Sequence, residues 1–170
     1  ARYNMIVNLG WTLLHVLPVT YYCITQVPSM LVYILLTISL LAGFLPKRFF
    51  NKIQLGQTTK RYKKIGVLFV RKFSQDGDII NKQIRKKYPD YTVTNEKSSI
   101  NKYIGTTYFY ERFHLIGLLF MLCISVYAFM QADYLWAIVI LINNILYNLY
   151  PMLLQQYNRI RIMRIDRRTS

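Results

Sequence analysis

Charged residues are absent from two long stretches of the chain, and these two gaps organise the whole sequence. No Asp, Glu, Lys or Arg occurs between Arg2 and Lys47, and Asp133 is the single charged residue between Arg112 and Arg159. A membrane-spanning helix needs about 20 mostly apolar residues, so each gap is long enough for two such helices. The pattern predicts an all-α polytopic membrane protein whose four transmembrane helices form two hairpins.

Turn signals divide each gap into two spans. Pro28 lacks the backbone N–H that a continuing helix requires, and Asp133 in the turn 131–133 is suited to a helix N-cap. A further helix is expected to start near Ser98 or Ser99 and to run into the third span. We therefore predict spans over residues 5–25, 29–45, 115–131 and 134–154.

The charge distribution predicts an orientation. The chain has 22 Lys and Arg against 7 Asp and Glu, a net charge of +15, and a mean hydropathy of +0.20. Basic residues remain on the cytoplasmic side of a membrane. We therefore predict a single integral domain over residues 1–170 of a bacterial plasma (inner) membrane, with both termini, the segment 46–103 and the tail 155–170 in the cytoplasm. The tail is expected to lie on the membrane surface. Basic residues that flank membrane spans account for the positive charge, so we expect membrane lipid as a partner and no nucleic acid.

Several kinds of site are not favoured by the sequence. Cys23 and Cys123 lie inside apolar segments, which is typical of unpaired thiols. Phosphate-binding glycine loops, nucleophile elbows, zinc-spaced cysteine pairs and acidic clusters are missing. A metal site would require His15, in the middle of the first span, to meet Glu111 and His114 at the end of the third. We therefore expect neither a metal nor a tightly bound cofactor.

The segment Glu111-Arg112-Phe113-His114 is the first candidate for chemistry. Glu111 and His114 are three residues apart, which places them on one helical face where the third span enters the membrane. A carboxylate beside an imidazole can fix its tautomer and make it a general base. The alternative interpretation is a polar collar at the membrane surface.

The second candidate runs off the end of the fourth span. Its arginines can bind a phosphate or a carboxylate, and its amides can bond between helices. The alternative interpretation is that the amides only join helices and the arginines only anchor the protein at the membrane. The residues of this group are Asn148, Gln155, Tyr157, Asn158, Arg159 and Arg161.

Together the two groups resemble the glycosyl-4,4'-diaponeurosporenoate acyltransferase family. The resemblance rests on Glu-x-x-His before a span, on Asn followed seven residues later by Gln, and on Tyr-Asn-Arg-x-Arg. The stretch from Tyr62 to Lys72 is similar to the family more loosely. The sequence departs from the family at Thr106 and Phe109, where an earlier Glu and an Arg often stand, and its proline is displaced to Pro151.

The resemblance implies transfer of a fatty acyl chain to a hydroxyl of a glycosylated isoprenoid, a carotenoid or a similar glycolipid. In that reaction His114 would be the base, Glu111 would orient it, and Arg159 or Arg161 would bind the donor phosphate or the oxyanion. An acyl-CoA or an acyl-carrier protein would be the co-substrate, since both are negatively charged and suit a basic cytoplasmic side of the protein. Two alternatives remain: another lipid-modifying enzyme on the same scaffold, and a non-catalytic accessory subunit of a membrane complex.

Overall fold

The regular elements of the described chain are all helices. The computed structural model describes residues 2–73 and 97–169, with side chains over 9–72 and 100–164. Within these ranges the predicted all-α fold is confirmed. The helices are α1 (Arg2–Gln26), α2 (Ser29–Leu40), α3 (Lys47–Lys52), α4 (Thr59–Lys64), α5 (Val67–Phe73), α6 (Lys97–Met130), α7 (Tyr134–Asn144) and α8 (Tyr150–Thr169). A 3₁₀ turn (Leu41–Phe44) extends α2, and a π-helical turn (Ile145–Leu149) joins α7 to α8.

Helix α6 ends in a Schellman turn. Ala132 has a φ of 62°, the left-handed conformation that ends many helices. Its N–H bonds the Phe129 carbonyl at 3.1 Å, and the Asp133 N–H bonds the Ala128 carbonyl at 2.9 Å. The turn sends α7 back along α6, and the expected hairpin at Asp133 is confirmed. Asp133 does stand at the N-cap of α7, but its side chain makes no capping bond there.

The two hairpin turns lie at one end of the bundle, which we call the turn end. The Tyr22 hydroxyl donates to Asp133 Oδ2 at 2.9 Å, and the Tyr127 hydroxyl donates to the Gln26 carbonyl at 3.4 Å. Between the hairpins lies an apolar core to which α1, α6 and α7 all contribute. Its most buried members include Val19, Tyr22, Ile124, Ala128 and Ile140.

The short helices α3, α4 and α5 lie at the opposite end, which we call the basic end. Arg112 Nε donates to the Leu45 carbonyl at 3.1 Å, so the end of the first hairpin meets α6 there. Tyr62 of α4 and Val67 of α5 are fully buried against Leu154 and Ile160 of α8. The first turns of the tail are therefore buried, and the expectation of a surface-lying tail is wrong for them. The apolar side chains of α4 and α5 cover the helix face that was expected to meet lipid.

A π-helical turn interrupts the long helix formed by α7 and α8. Pro151 stands in the turn that follows it and, lacking an N–H, cannot donate to the Tyr147 carbonyl four residues earlier. π-Helical turns are rare and often occur at functional sites, because they change which side chains face a neighbouring helix.

Two stretches of the described chain are long and apolar enough to cross a membrane. They are Ile100–Met130 and Tyr134–Arg164, by length and composition. A third apolar helix, Ser29–Phe44, is shorter. The apolar character of these helices indicates membrane association, and the predicted total of four spans stays a prediction.

Candidate active site

A buried ion pair joins α6 to α8 at the basic end. Arg159 Nη1 lies 2.5 Å from Glu111 Oε2, and the two side chains are 1% and 0% exposed. Gln156 Nε2 donates to the other carboxylate oxygen, Oε1, at 2.7 Å. Charges are costly to bury unless they are paired and hydrogen-bonded. Here both oxygens of Glu111 have charged or polar donors on one face of α8.

Residues from the basic end complete this ion-pair network. Arg159 Nη2 donates to Gln54 Oε1 at 3.3 Å, and its guanidinium lies 4.0 Å from the centre of the Tyr108 ring. Gln156 Oε1 accepts from the Tyr62 hydroxyl at 3.0 Å and from the Leu55 N–H at 3.2 Å. Burial raises the pKa of the Tyr62 phenol above its usual range, so the phenol remains a neutral donor. The network ties α4 and the loop before it to both long helices.

His114 lies one turn further along α6 from Glu111. Its Nδ1 is buried and has no hydrogen-bond partner among the described residues. The ring is adjacent to the Asn148 side chain and to the Tyr147 carbonyl, and its centre lies 6.2 Å from that of the Tyr147 ring. The recorded bonds of Glu111 go instead to Gln156 and Arg159. The expected orientation of His114 by Glu111 therefore stays a prediction.

Helix α1 places His15, the other histidine of the chain, beside Tyr147. His15 is 4% exposed, stacks on Trp11 with ring centres 4.9 Å apart, and lies 5.6 Å from the Tyr147 ring. The Tyr147 hydroxyl pairs with Thr12 Oγ1 at 3.0 Å. Tyr147 thus lies between the two histidines of the chain, in a group that we call the histidine cluster: His15, His114 and Tyr147. In the described ranges no group of three or more His, Cys, Asp or Glu is arranged to hold a metal ion.

Asparagines hold α7 and the π turn against α6. Asn148 Nδ2 donates to Asn144 Oδ1 at 2.9 Å and lies 3.1 Å from Met121 Sδ. Asn144 Nδ2 donates to the Leu118 carbonyl at 2.9 Å. Gly117 makes this approach possible, because a Cβ there would lie 2.5 Å from Asn148 Oδ1. Hydrogen bonds from side-chain amides between helices, and small residues where the helices touch, are typical of membrane bundles.

The remaining residues chosen from the sequence are placed unequally. Tyr157 is buried, with its ring 6.4 Å from that of Tyr62. Gln155 and Asn158 are half-buried, and Arg161 is exposed. The structure therefore brings Glu111 and Arg159 together and leaves Arg161 at the surface.

Several residues that the structure places in these groups are not singled out by the sequence pattern. Tyr108 precedes Glu111 by three residues, a spacing that could have indicated it. Gln54 and Tyr147 have no such signal, since their contacts are made between distant elements. The Asn-to-Gln spacing points to Gln155, whereas its neighbour Gln156 makes the bond to Glu111. The residues not chosen are Gln54, Tyr62, Tyr108, Tyr147 and Gln156.

These features define an all-helical, membrane-associated protein with a buried ion pair and two histidines inside its bundle. Residues 46–168 match the model of the glycosyl-4,4'-diaponeurosporenoate acyltransferase family. This match covers well over half of the chain, and the chain belongs to that family. It includes Glu111, His114 and all the candidate residues of α8, whereas α1 and α2 precede it. No curated protein and no solved structure matches the chain.

Proposed function

We infer that the protein is a membrane acyltransferase which moves a fatty acyl chain onto a hydroxyl of a glycosylated isoprenoid, a carotenoid or a similar glycolipid. The family supports acyl transfer involving a glycosylated carotenoid. The observation that carries the proposal for this chain is His114 Nδ1, which is buried and has no hydrogen-bond partner of good geometry among the described residues, although the ring lies beside Asn148 and Tyr147. This nitrogen belongs to the segment that matches the family, and a ring nitrogen of this kind is suited to remove the proton of a substrate hydroxyl.

The proposed reaction needs one base and one thioester donor. His114 takes the proton of the sugar hydroxyl while the oxygen attacks the acyl carbonyl carbon. The tetrahedral intermediate then collapses as the carbon–sulfur bond breaks. The departing thiolate of CoA or an acyl-carrier protein receives the proton from the imidazolium, and an ester is left on the sugar. Donors near the carbonyl would stabilise the oxyanion.

Glu111 and Arg159 have a positioning role in this proposal. Each is nearly fully buried and bonded to the other, so Arg159 has little surface to offer a donor phosphate. The pair instead fixes α6 against α8 next to His114. The exposed Arg161 retains the role of attracting the negatively charged donor, together with the exposed lysines of the basic end.

The proposal includes four spans, with the basic end in the cytoplasm of the plasma membrane. Large apolar side chains in each of the four predicted spans are exposed, which supports contact with lipid around the bundle. Examples, with their exposed fractions, are Leu14 at 64%, Tyr33 at 68%, Val126 at 52% and Leu135 at 74%.

The test is acyl transfer by purified protein reconstituted in lipid with an acyl-CoA and a glycosylated carotenoid. Replacement of His114 by Gln keeps a polar side chain of similar size but removes the base. We expect kcat to fall by at least about 100-fold, as for the loss of a general base. Cys123→Ser, at an exposed position, should behave like the wild type. Full turnover by a folded His114→Gln protein would contradict the proposed mechanism. No transfer by the wild-type protein would favour an accessory role or a different acceptor.

A further inference from the structure

The hydrogen bonds of Asn143 fix the tautomer of His15. Asn143 Nδ2 donates to the Val139 carbonyl at 2.8 Å, and a carbonyl can only accept. The atom that faces His15 Nδ1 at 2.6 Å is therefore the amide oxygen Oδ1. Because two acceptors do not approach so closely, Nδ1 must carry the proton. In the neutral ring Nε2 is then left with a free lone pair.

This lone pair is buried without a partner. His15 is 4% exposed, and no described residue donates to its Nε2. A buried acceptor that has no donor costs free energy, so a ligand hydroxyl that donates to this atom would be favoured. Trp11 and Tyr147 flank the ring with aromatic faces. Aromatic walls with a few polar atoms are typical of a binding pocket for a small molecule.

We propose that His15 Nε2 accepts a hydrogen bond from a hydroxyl of the lipid acceptor, next to the hydroxyl that His114 deprotonates. This inference rests on the proposed function and makes α1, which precedes the family match, part of the substrate site. Both histidine rings contact Tyr147, at 5.6 and 6.2 Å between ring centres. In this proposal a single head group with two or more hydroxyls bridges the two rings. The acceptor class is a polyhydroxylated head group on an apolar chain.

The first test reads the histidine directly and needs no enzyme activity. The chain contains two histidines, so a ¹⁵N-histidine-labelled His114→Gln protein reports on His15 alone. The protein is held in a phosphocholine detergent, which has no hydroxyl group. We expect an unprotonated Nε2 signal that moves upfield on addition of octyl glucoside and stays in place on addition of octanol. In Asn143→Leu, which removes the acceptor for Nδ1, the single tautomer should give way to a mixture.

Three results of this experiment would overturn the proposal. They are a protonated Nε2 in the free protein, the same response to octanol as to octyl glucoside, and no response to either compound. The experiment remains decisive if the wild-type protein fails to acylate a carotenoid, because it measures binding of a polyol head group. Failure of the proposed function and failure of this inference are thereby distinguished.

The second test separates binding from catalysis. His15→Phe keeps an aromatic ring against Trp11 but removes the acceptor nitrogen. We expect the KM for the glycosylated acceptor to rise about tenfold, the usual effect of one lost hydrogen bond, with a much smaller change in kcat. His114→Gln should show the reverse division. A collapse of kcat in His15→Phe with an unchanged KM would show that His15 is not a binding group but the base itself.

Discussion

The Glu111–Arg159 pair is almost fully buried, so removal of either side chain leaves the charge of the other unpaired inside the protein. Glu111→Gln leaves the Arg159 guanidinium without its counter-charge, and we expect this to destabilise the protein by about 3–5 kcal/mol. The double variant Glu111→Leu, Arg159→Met removes both charges and should recover much of that loss. Thermal unfolding in detergent measures each variant.

The exposed Arg161 provides the control for this comparison, because Arg161→Met changes a charge two residues away at the surface. We expect an effect within roughly 0.5 kcal/mol, as for most surface substitutions. If Glu111→Gln unfolds at the same temperature as Arg161→Met, the ion pair does not support the bundle.

Gly117 is the second residue on which the site depends. A Cβ at this position would lie 2.5 Å from Asn148 Oδ1, so Gly117→Ala must displace Asn148 or separate the helices. We expect a loss of about 1–3 kcal/mol, the usual cost of overpacking, together with reduced acyl transfer.

Gly105 on the same helix is the matched control for Gly117, since a Cβ there would contact nothing within 4 Å. Gly105→Ala should stabilise α6 by roughly 0.5–1 kcal/mol through its helix propensity. Equal effects of the two substitutions, measured by thermal unfolding, would mean that helix propensity alone determines both.

The turn between α6 and α7 allows a test of a single element. Ala132 has a φ of 62°, which glycine adopts without strain and alanine does not. We expect Ala132→Gly to stabilise the protein by about 1 kcal/mol, because the Schellman bonds are kept and the strain is removed. Ala128→Gly, at a fully buried helical position in the preceding turn, should destabilise it. A lower unfolding temperature for Ala132→Gly would contradict this account of the turn.

The helices themselves were well predicted from the sequence, but the register of the last one was not. Apolar runs and turn residues placed α1, α2, the start of α6 and the Asp133 turn within a few residues of their observed bounds. In a regular helix Gln155 lies two turns after Asn148 on the same face. The π turn interrupts that regular spacing, and the residue that bonds Glu111 is Gln156 rather than Gln155. Hydropathy does not detect such a turn, and Pro151 marks it only after the structure is known.

Contacts between distant elements set the limit of prediction for the site. The pairing of Glu111 with Arg159 and the meeting of His15 with Tyr147 each join helices far apart in the sequence. Spacing along one helix correctly placed Glu111 and His114 on neighbouring turns. It could not indicate that the partner of Glu111 comes from α8, because that choice depends on how the two long helices cross.

At the scale of the whole molecule, the two hairpins are joined at both ends. The Tyr22–Asp133 bond joins their turns, and the Arg112–Leu45 bond joins the end of the first hairpin to α6 at the basic end. If α6 and the stretch Tyr134–Arg164 cross the membrane, we therefore expect the turn at Pro28 on the same side as the turn at Asp133. These contacts support the prediction of four spans, which the two candidate spans alone do not.

Cysteine labelling in intact cells tests this topology. In a background where Cys23 and Cys123 are replaced by Ala, Ser29→Cys and Gln131→Cys place one thiol in each hairpin turn, and both should react with a membrane-impermeant maleimide from outside. Lys63→Cys, exposed on α4, should react only after the membrane is permeabilised, because the basic end faces the cytoplasm. Labelling of Gln131→Cys but not Ser29→Cys from outside would mean that the first hairpin does not cross. That result would contradict the Tyr22–Asp133 contact, and with it the packing of α1 that brings His15 to Tyr147 and the shared substrate site that rests on it.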